Sequence, residues 1–185
     1  MTQVTIRVAA TSLIVALAAQ ALAGQSATTW ITGGGLSFPS GAFNTYANVG
    51  WDLTGAVERS LGSHPTALRL GVGYAVNKDV TAIGFHETTR LNSVFGSVVY
   101  HFVGARPHIY AMIGFGLFNR NFSSDDPDDA GGAESHFAMQ LGEGVQFPIG
   151  SVRIFVEGRF ITTLGPGPFQ YIPLVAGVRL GGGKL

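Results

Sequence analysis

The chain has 185 residues with 11 basic and 11 acidic side chains, a formal net charge of zero, 27 glycines and no cysteine. Charged residues make up 12%, about half the roughly 25% usual for soluble domains, and glycine is about twice as frequent as its usual 7% or so. A hydrophobic share of 46% excludes a disordered chain, the neutral balance excludes a nucleic-acid partner held by a basic surface, and the lack of cysteine excludes disulfides and thiolate metal sites.

Residues 1–23 have the three parts of a cleaved signal peptide. Arg7 supplies the positive region, Val8 to Ala19 the apolar region, and Ala21-Leu22-Ala23 a small-x-small cleavage site before Gly24. The apolar run is shorter than the roughly 20 residues of a spanning helix. Without a cysteine after the cleavage site there is no lipoprotein anchor. Removal of 23 residues leaves a single domain over 24–185.

From there on the pattern has period two. A first, weakly patterned strand is expected near 28–37. In the second, Ala47, Val49, Trp51, Leu53, Gly55 and Val57 oppose Asn48, Gly50, Asp52, Thr54, Ala56 and Glu58. In the third, Leu68, Leu70, Val72, Tyr74 and Val76 oppose Arg69, Gly71, Gly73, Ala75 and Asn77. Residues 92–102 alternate less cleanly, with Val94, Val98, Tyr100 and Phe102 on the apolar row. Next, Ile109, Ala111, Ile113, Phe115 and Leu117 oppose Tyr110, Met112, Gly114, Gly116 and Phe118. A sixth strand falls near 137–147. The seventh sets Val152, Ile154, Val156, Gly158 and Phe160 against Arg153, Phe155, Glu157, Arg159 and Ile161. The eighth sets Ile172, Leu174, Ala176, Val178 and Leu180 against Tyr171, Pro173, Val175, Gly177 and Arg179.

Size decides which row faces outward. An eight-stranded barrel has room only to fill its interior with side chains. Rows carrying Trp51, Tyr74, Tyr100, Phe102, Phe115 and Phe160 would overfill it, whereas rows of Gly, Ala, Ser and a few long charged chains fit. The apolar rows therefore face out, and lipid is the solvent that tolerates them. Ten residues at about 3.4 Å each, tilted near 45°, span roughly 24 Å, close to the apolar band of an outer-membrane barrel. Apart from a middling first turn at 59–66, the connections alternate long (38–44, 78–88, 121–136, 162–170) and short (103–106, 148–151), as an up-and-down barrel with both termini in the periplasm requires. The fold class expected is all-β, an eight-stranded antiparallel up-and-down transmembrane β-barrel.

These features resemble the small eight-stranded outer-membrane barrels of Gram-negative bacteria, the OmpA/OmpX-like group. The residues that carry the resemblance are the signal peptide, Ala111-Met112-Ile113-Gly114-Phe115-Gly116, Val156-Glu157-Gly158-Arg159-Phe160, and the closing stretch Tyr171 to Leu180. Members commonly end on an aromatic residue read by the assembly machinery. Here the final residues are Gly181-Gly182-Gly183-Lys184-Leu185, which shifts any such signal inward to Leu180. The resemblance implies outer-membrane lipid and the barrel assembly machinery as partners, external loops available to a surface ligand, a monomer, no nucleic acid and no cofactor.

Asp52, Glu58, Arg69, Arg153, Glu157, Arg159 and Arg179 stand on inward rows, and buried charges need partners. They are expected to form a continuous salt-bridge network that plugs and stiffens the barrel. Glu143 alone breaks an apolar row, and a position at the periplasmic rim, or a bulge at Gly142–Gly144 turning it inward, is expected. The run Asp125-Asp126-Pro127-Asp128-Asp129 lacks calcium-loop spacing and is expected to be a solvated loop. His64, His86, His101, His108 and His136 have no metal spacing, and His101 and His108 are expected at the interface. Lipid A deacylases, also eight-stranded barrels, carry a His-x-Ser pair. No histidine here has one. The reading is thus a non-enzymatic envelope protein with a structural or surface-display role and no solute channel. A lipid-modifying hydrolase and a soluble secreted β-barrel are the alternatives.

Overall fold

A computed structural model describes residues 28–62, 64–78, 87–104, 107–124, 132–165 and 167–181. The signal-peptide segment 1–23 and the acidic run 125–129 lie outside them. Eight strands follow in chain order: β1 Thr28–Ser40, β2 Gly50–Ser60, β3 Thr66–Lys78, β4 Glu87–His101, β5 His108–Ser124, β6 Gly132–Ile149, β7 Val152–Thr163 and β8 Gln170–Gly181. A short 3-10 helix, η1 Gly41–Thr45, follows β1. Each strand pairs antiparallel with the next, and β8 returns to pair with β1, so the sheet is a closed barrel.

Alternation governs the wall. On β2, Trp51 and Leu53 are 44% and 53% exposed while Asp52 between them is 1% exposed. The same division holds along β3, β5, β7 and β8, with Leu68, Ile113, Ile154 and Leu174 outside and Arg69, Met112, Phe155 and Val175 inside. The uneven alternation over 92–102 is resolved by Phe95 and Val99, which point inward beside Val94 and Val98 facing out. Ala47 is the exception to the expected rows. The second strand begins at Gly50, and Ala47, just after η1, is buried in the apolar cluster that includes Phe43 and Ala75.

Following cross-strand partners once around the wall, Trp30 leads through Val57, Leu70, Gly96, Phe115, Met139, Thr162 and Gln170 to Ser40. The circuit returns to β1 ten residues further on. For eight strands that stagger implies a tilt of about 40°. The ten steps between Phe137 and Phe147, both exposed on β6, then rise about 25 Å along the barrel axis, which matches the apolar band of an outer-membrane barrel. Aromatic pairs mark its two edges. Trp51 and Tyr74 meet edge to face at 5.4 Å near one end, and Tyr100 and Phe102 at 5.2 Å near the other. No helix among the described residues is long and apolar enough to cross a membrane; the crossing is made by strands.

The strands outrun the expected boundaries furthest at the long-loop end. β5 and β6 remain paired as far as Phe122 and Gly132, so both ends of the long connection expected over 121–136 are ladder. The opposite end keeps tight turns such as 148–151, where Gly150 takes a φ of 62°, the left-handed region that glycine enters without strain. Because closure leaves no unpaired strand edge in lipid, the barrel resists unfolding by detergent alone. Unboiled protein in dodecyl sulfate is expected to migrate faster than boiled protein on electrophoresis, and identical migration would contradict closure.

Candidate functional site

Six of the charged side chains on the strands meet in the lumen in one chain of ion pairs. Asp52 on β2 receives Arg159 of β7 at 3.2 Å. Arg159 also faces Glu157 at 3.5 Å, and Glu157 takes Arg69 of β3 at 2.5 Å. Arg69 reaches on to Glu58 through Nε and Nη2 at 3.0 and 2.8 Å. Glu58 is further paired with Arg179 of β8 and, at 3.1 Å, with His101 of β4. Tyr110 sits within this chain. Its hydroxyl donates to Glu157 at 2.8 Å, and the Arg69 and Arg179 guanidiniums stand 5.2 and 5.1 Å from its ring centroid. Three carboxylates face three guanidiniums in a space closed to lipid, so the cluster is neutral apart from His101.

Period two explains how residues so distant in sequence meet. Even positions on β2 and odd positions on β3, β7 and β8 all point inward, and the stagger of the strands brings Glu58, Arg69, Glu157 and Arg179 to nearby heights. Of the seven charges expected inside, six join this chain. Arg153 stands apart: its Nη2 donates to the Gly181 carbonyl at 2.6 Å and to Thr29 Oγ1 at 3.4 Å. It is the first inward residue after the 148–151 turn, so it clips the seam between β8 and β1 at the rim and makes no ion pair among the described residues. His101, expected at the interface, points inward instead. Tyr100 and Phe102 on either side face out, and parity turns the imidazole toward Glu58.

Above the ion chain, toward the long-loop end, an apolar cluster fills the lumen, with the Arg120 guanidinium 5.4 Å from the Phe169 ring centroid. Phe43 from η1 lies 4.0 Å from Phe169 between ring centroids, and Phe169 lies 5.4 Å from Phe118. Tyr171, Phe95, Leu91 and Ile161 complete this buried cluster. Phe169 is fixed from below, its N–H donating to Thr163 Oγ1 at 2.8 Å. Phe43 and Phe169 fall in connections, where strand periodicity is silent about direction. Their aromatic character is the one signal in the sequence that could have pointed to them.

Glu143 corrects an expectation. The ladder from β5 through β6 to β7 is regular, with Ala111 opposite Glu143 and Glu143 opposite Gly158, so there is no bulge. The side chain is exposed on the outer wall, four steps and about 10 Å along the axis from Phe147 at the rim. Gly142 and Gly144, which suggested a bulge, have another purpose. A Cβ at either would collide with the Met112 and Arg159 side chains or with the Tyr110 ring, so both make room for the lumen.

A closed barrel of eight strands, with an apolar band outside and a filled, charge-neutral lumen, defines an outer-membrane β-barrel protein. The chain belongs to the family of the outer membrane protein beta-barrel domain, whose model matches residues 9–163. Solved structures share the fold. Neisserial surface protein A (NspA) is 17% identical with a TM-score of 0.59, the match covering 83% of this chain and 96% of that one. A major outer membrane protein from Thermus thermophilus is 14% identical at a TM-score of 0.57, over 85% and 100%. Ail, the attachment invasion locus protein of Yersinia pestis, solved with the heparin analogue sucrose octasulfate, is 14% identical at 0.51, over 85% and 100%. No curated protein sequence matches the chain. The protein is accordingly an integral protein of the bacterial outer membrane, in contact with its lipid.

Two substitutions probe this interior and wall. Arg69→Ala leaves Glu58 and Glu157 short of a buried partner and is expected to lower stability by about 3–5 kcal/mol, read from urea titration of the barrel in lipid vesicles. Glu143→Leu removes a carboxylate from lipid and is expected to raise stability by about 1 kcal/mol in the same titration. A stability loss there would place a partner on Glu143.

Proposed function

We propose that the protein is a sealed, non-enzymatic barrel that anchors external loops at the cell surface and contributes to envelope integrity or attachment. The signal peptide over 1–23 and insertion by the barrel assembly machinery deliver it as a monomer. The observation that carries this reading is the filling of the lumen at two levels. The aromatic cluster of Phe43, Phe118, Phe169 and Tyr171 occupies the external half, and the ion chain from Asp52 to Arg179 occupies the half below. Together they leave a solute no continuous aqueous path.

The chemistry agrees. Every charged member of the lumen chain is engaged by an opposite charge, which suits a strut better than a catalytic group poised to change protonation state. His101, the histidine that enters the lumen, is held by Glu58 and has no hydroxyl nucleophile two residues on. No cluster of three or more potential metal ligands occurs among the described residues. A surface role also accords with the fold, since the Yersinia pestis barrel of similar architecture is by name an attachment protein.

Planar bilayer recordings of the purified protein are expected to show no stable, large conductance, and such a conductance would overturn the sealed-barrel reading. A lipid-deacylation assay on the same preparation is expected to give no turnover above that of a His101→Ala variant.

A further inference from the structure

Three outward-facing glycines, Gly55, Gly96 and Gly158, have no steric need to be glycine, and the first two flank β3 on one wall. Gly55 on β2 and Gly96 on β4 stand in rows of lipid-facing side chains. A Cβ added at Gly96 would meet nothing within 4 Å, and one at Gly55 only a Val72 methyl at 3.7 Å. By contrast, Cβ atoms at the inward Gly114 and Gly116 would strike the backbone of β4. Glycine weakens a strand interior and marks a bulge, a tight bend at a barrel corner or the close approach of another molecule. The ladders through Gly55 and Gly96 are regular, so neither is a bulge, and the open space beside both favours close approach.

The missing side chains open a groove of about 860 Å³ on the outer wall across β1 to β5, within the roughly 300–1,000 Å³ range of ligand sites. Its lipid-facing walls are Trp30, Val57, Leu70, Val98 and Phe115, all apolar, and Arg59 lines its periplasmic end. Arg59 lies four steps below Gly55, about 10 Å along the axis, level with the Tyr100–Phe102 pair at the edge of the band. It is exposed, and no carboxylate among the described residues pairs with it. An apolar channel ending in one guanidinium at headgroup height matches a lipid with an anionic head. A guanidinium holds phosphate with two parallel hydrogen bonds.

We propose that this groove is a binding site for one phospholipid of the periplasmic leaflet, an acyl chain lying over Gly55 and Gly96 and the phosphate resting on Arg59. The site opens toward lipid, and the proposal is independent of the sealed-barrel reading.

Native mass spectrometry of the full-length barrel released from detergent tests this, with phosphatidylglycerol as the probe and diacylglycerol of the same chains as the comparator without phosphate. The wild-type barrel is expected to retain one phosphatidylglycerol and little diacylglycerol. Arg59→Gln is expected to cut retention about tenfold, as loss of a charge-assisted pair implies. Gly96→Leu, which fills the groove without touching the lumen, is expected to do the same, while Val156→Leu on the opposite wall leaves retention unchanged. Heat-modifiable migration confirms that each variant is folded. Wild-type retention in either groove variant, or equal retention of the two lipids, overturns the proposal.

Discussion

The pairing of β8 with β1 is the constraint from which the rest of the molecule descends. In hydrocarbon there is no water to satisfy an unpaired N–H or C=O, so a sheet of this kind must end on itself. Twelve registered residue pairs from Thr29–Gly181 to Ser40–Gln170 complete the ladder. Closure in turn fixes the stagger, the stagger fixes the tilt, and the tilt sets the thickness of bilayer that the strands can cross. It also divides every strand into two chemically opposed rows, because an inward residue on one strand must meet inward residues on its neighbours.

Within that frame the lumen faces an awkward problem. It is too narrow for water to solvate charge and too long to fill with small residues alone. The chain answers with two chemistries at different heights. Where Arg69, Glu58, Glu157, Arg159, Asp52 and Arg179 converge, each charge has its counter-charge within hydrogen-bonding or ion-pair reach, and Tyr110 supplies both a hydroxyl and an aromatic face between two guanidiniums. Toward the external mouth, aromatic rings from the wall and from the connections fill the space, and Arg120 lies over one of them. A buried ion chain of this sort adds little to stability compared with apolar packing, but breaking it is costly. Its effect is to make the interior intolerant of single losses and so to hold one register among the many that a repetitive wall could adopt.

Most of this architecture was legible in the sequence because period two is a local property. Asp52 and Glu58 on one row and Trp51 and Leu53 on the other already declare opposite environments, whatever the neighbouring strands do. The wall's orientation followed from the volume of Trp51, Tyr74 and Phe115 against the space inside eight strands. Three things were not legible. Ion-pair partners depend on stagger, which no single strand reveals, so the separation of Arg153 from the other six charges emerged only once its height at the seam was known. The direction of loop residues such as Phe43 and Phe169 is set by tertiary packing. Glu143 was misjudged because its flanking glycines suggested a bulge, when the ring of Tyr110 and the side chains of Met112 and Arg159 had already claimed the space they vacate.

Phe43 belongs to the first connection of the barrel and Phe169 to the last, yet they face each other at the external mouth. Nothing between them in sequence can bring them together. Seven strands laid side by side would carry both the ion chain's acidic members and most of its basic ones, but such a ribbon would have an open mouth. The lid therefore comes into being only as the final strand joins the first. The step that completes the backbone ladder is also the step that divides the barrel's interior from the world outside the cell, and a barrel left unjoined is a breach in the membrane and not merely an unfinished protein.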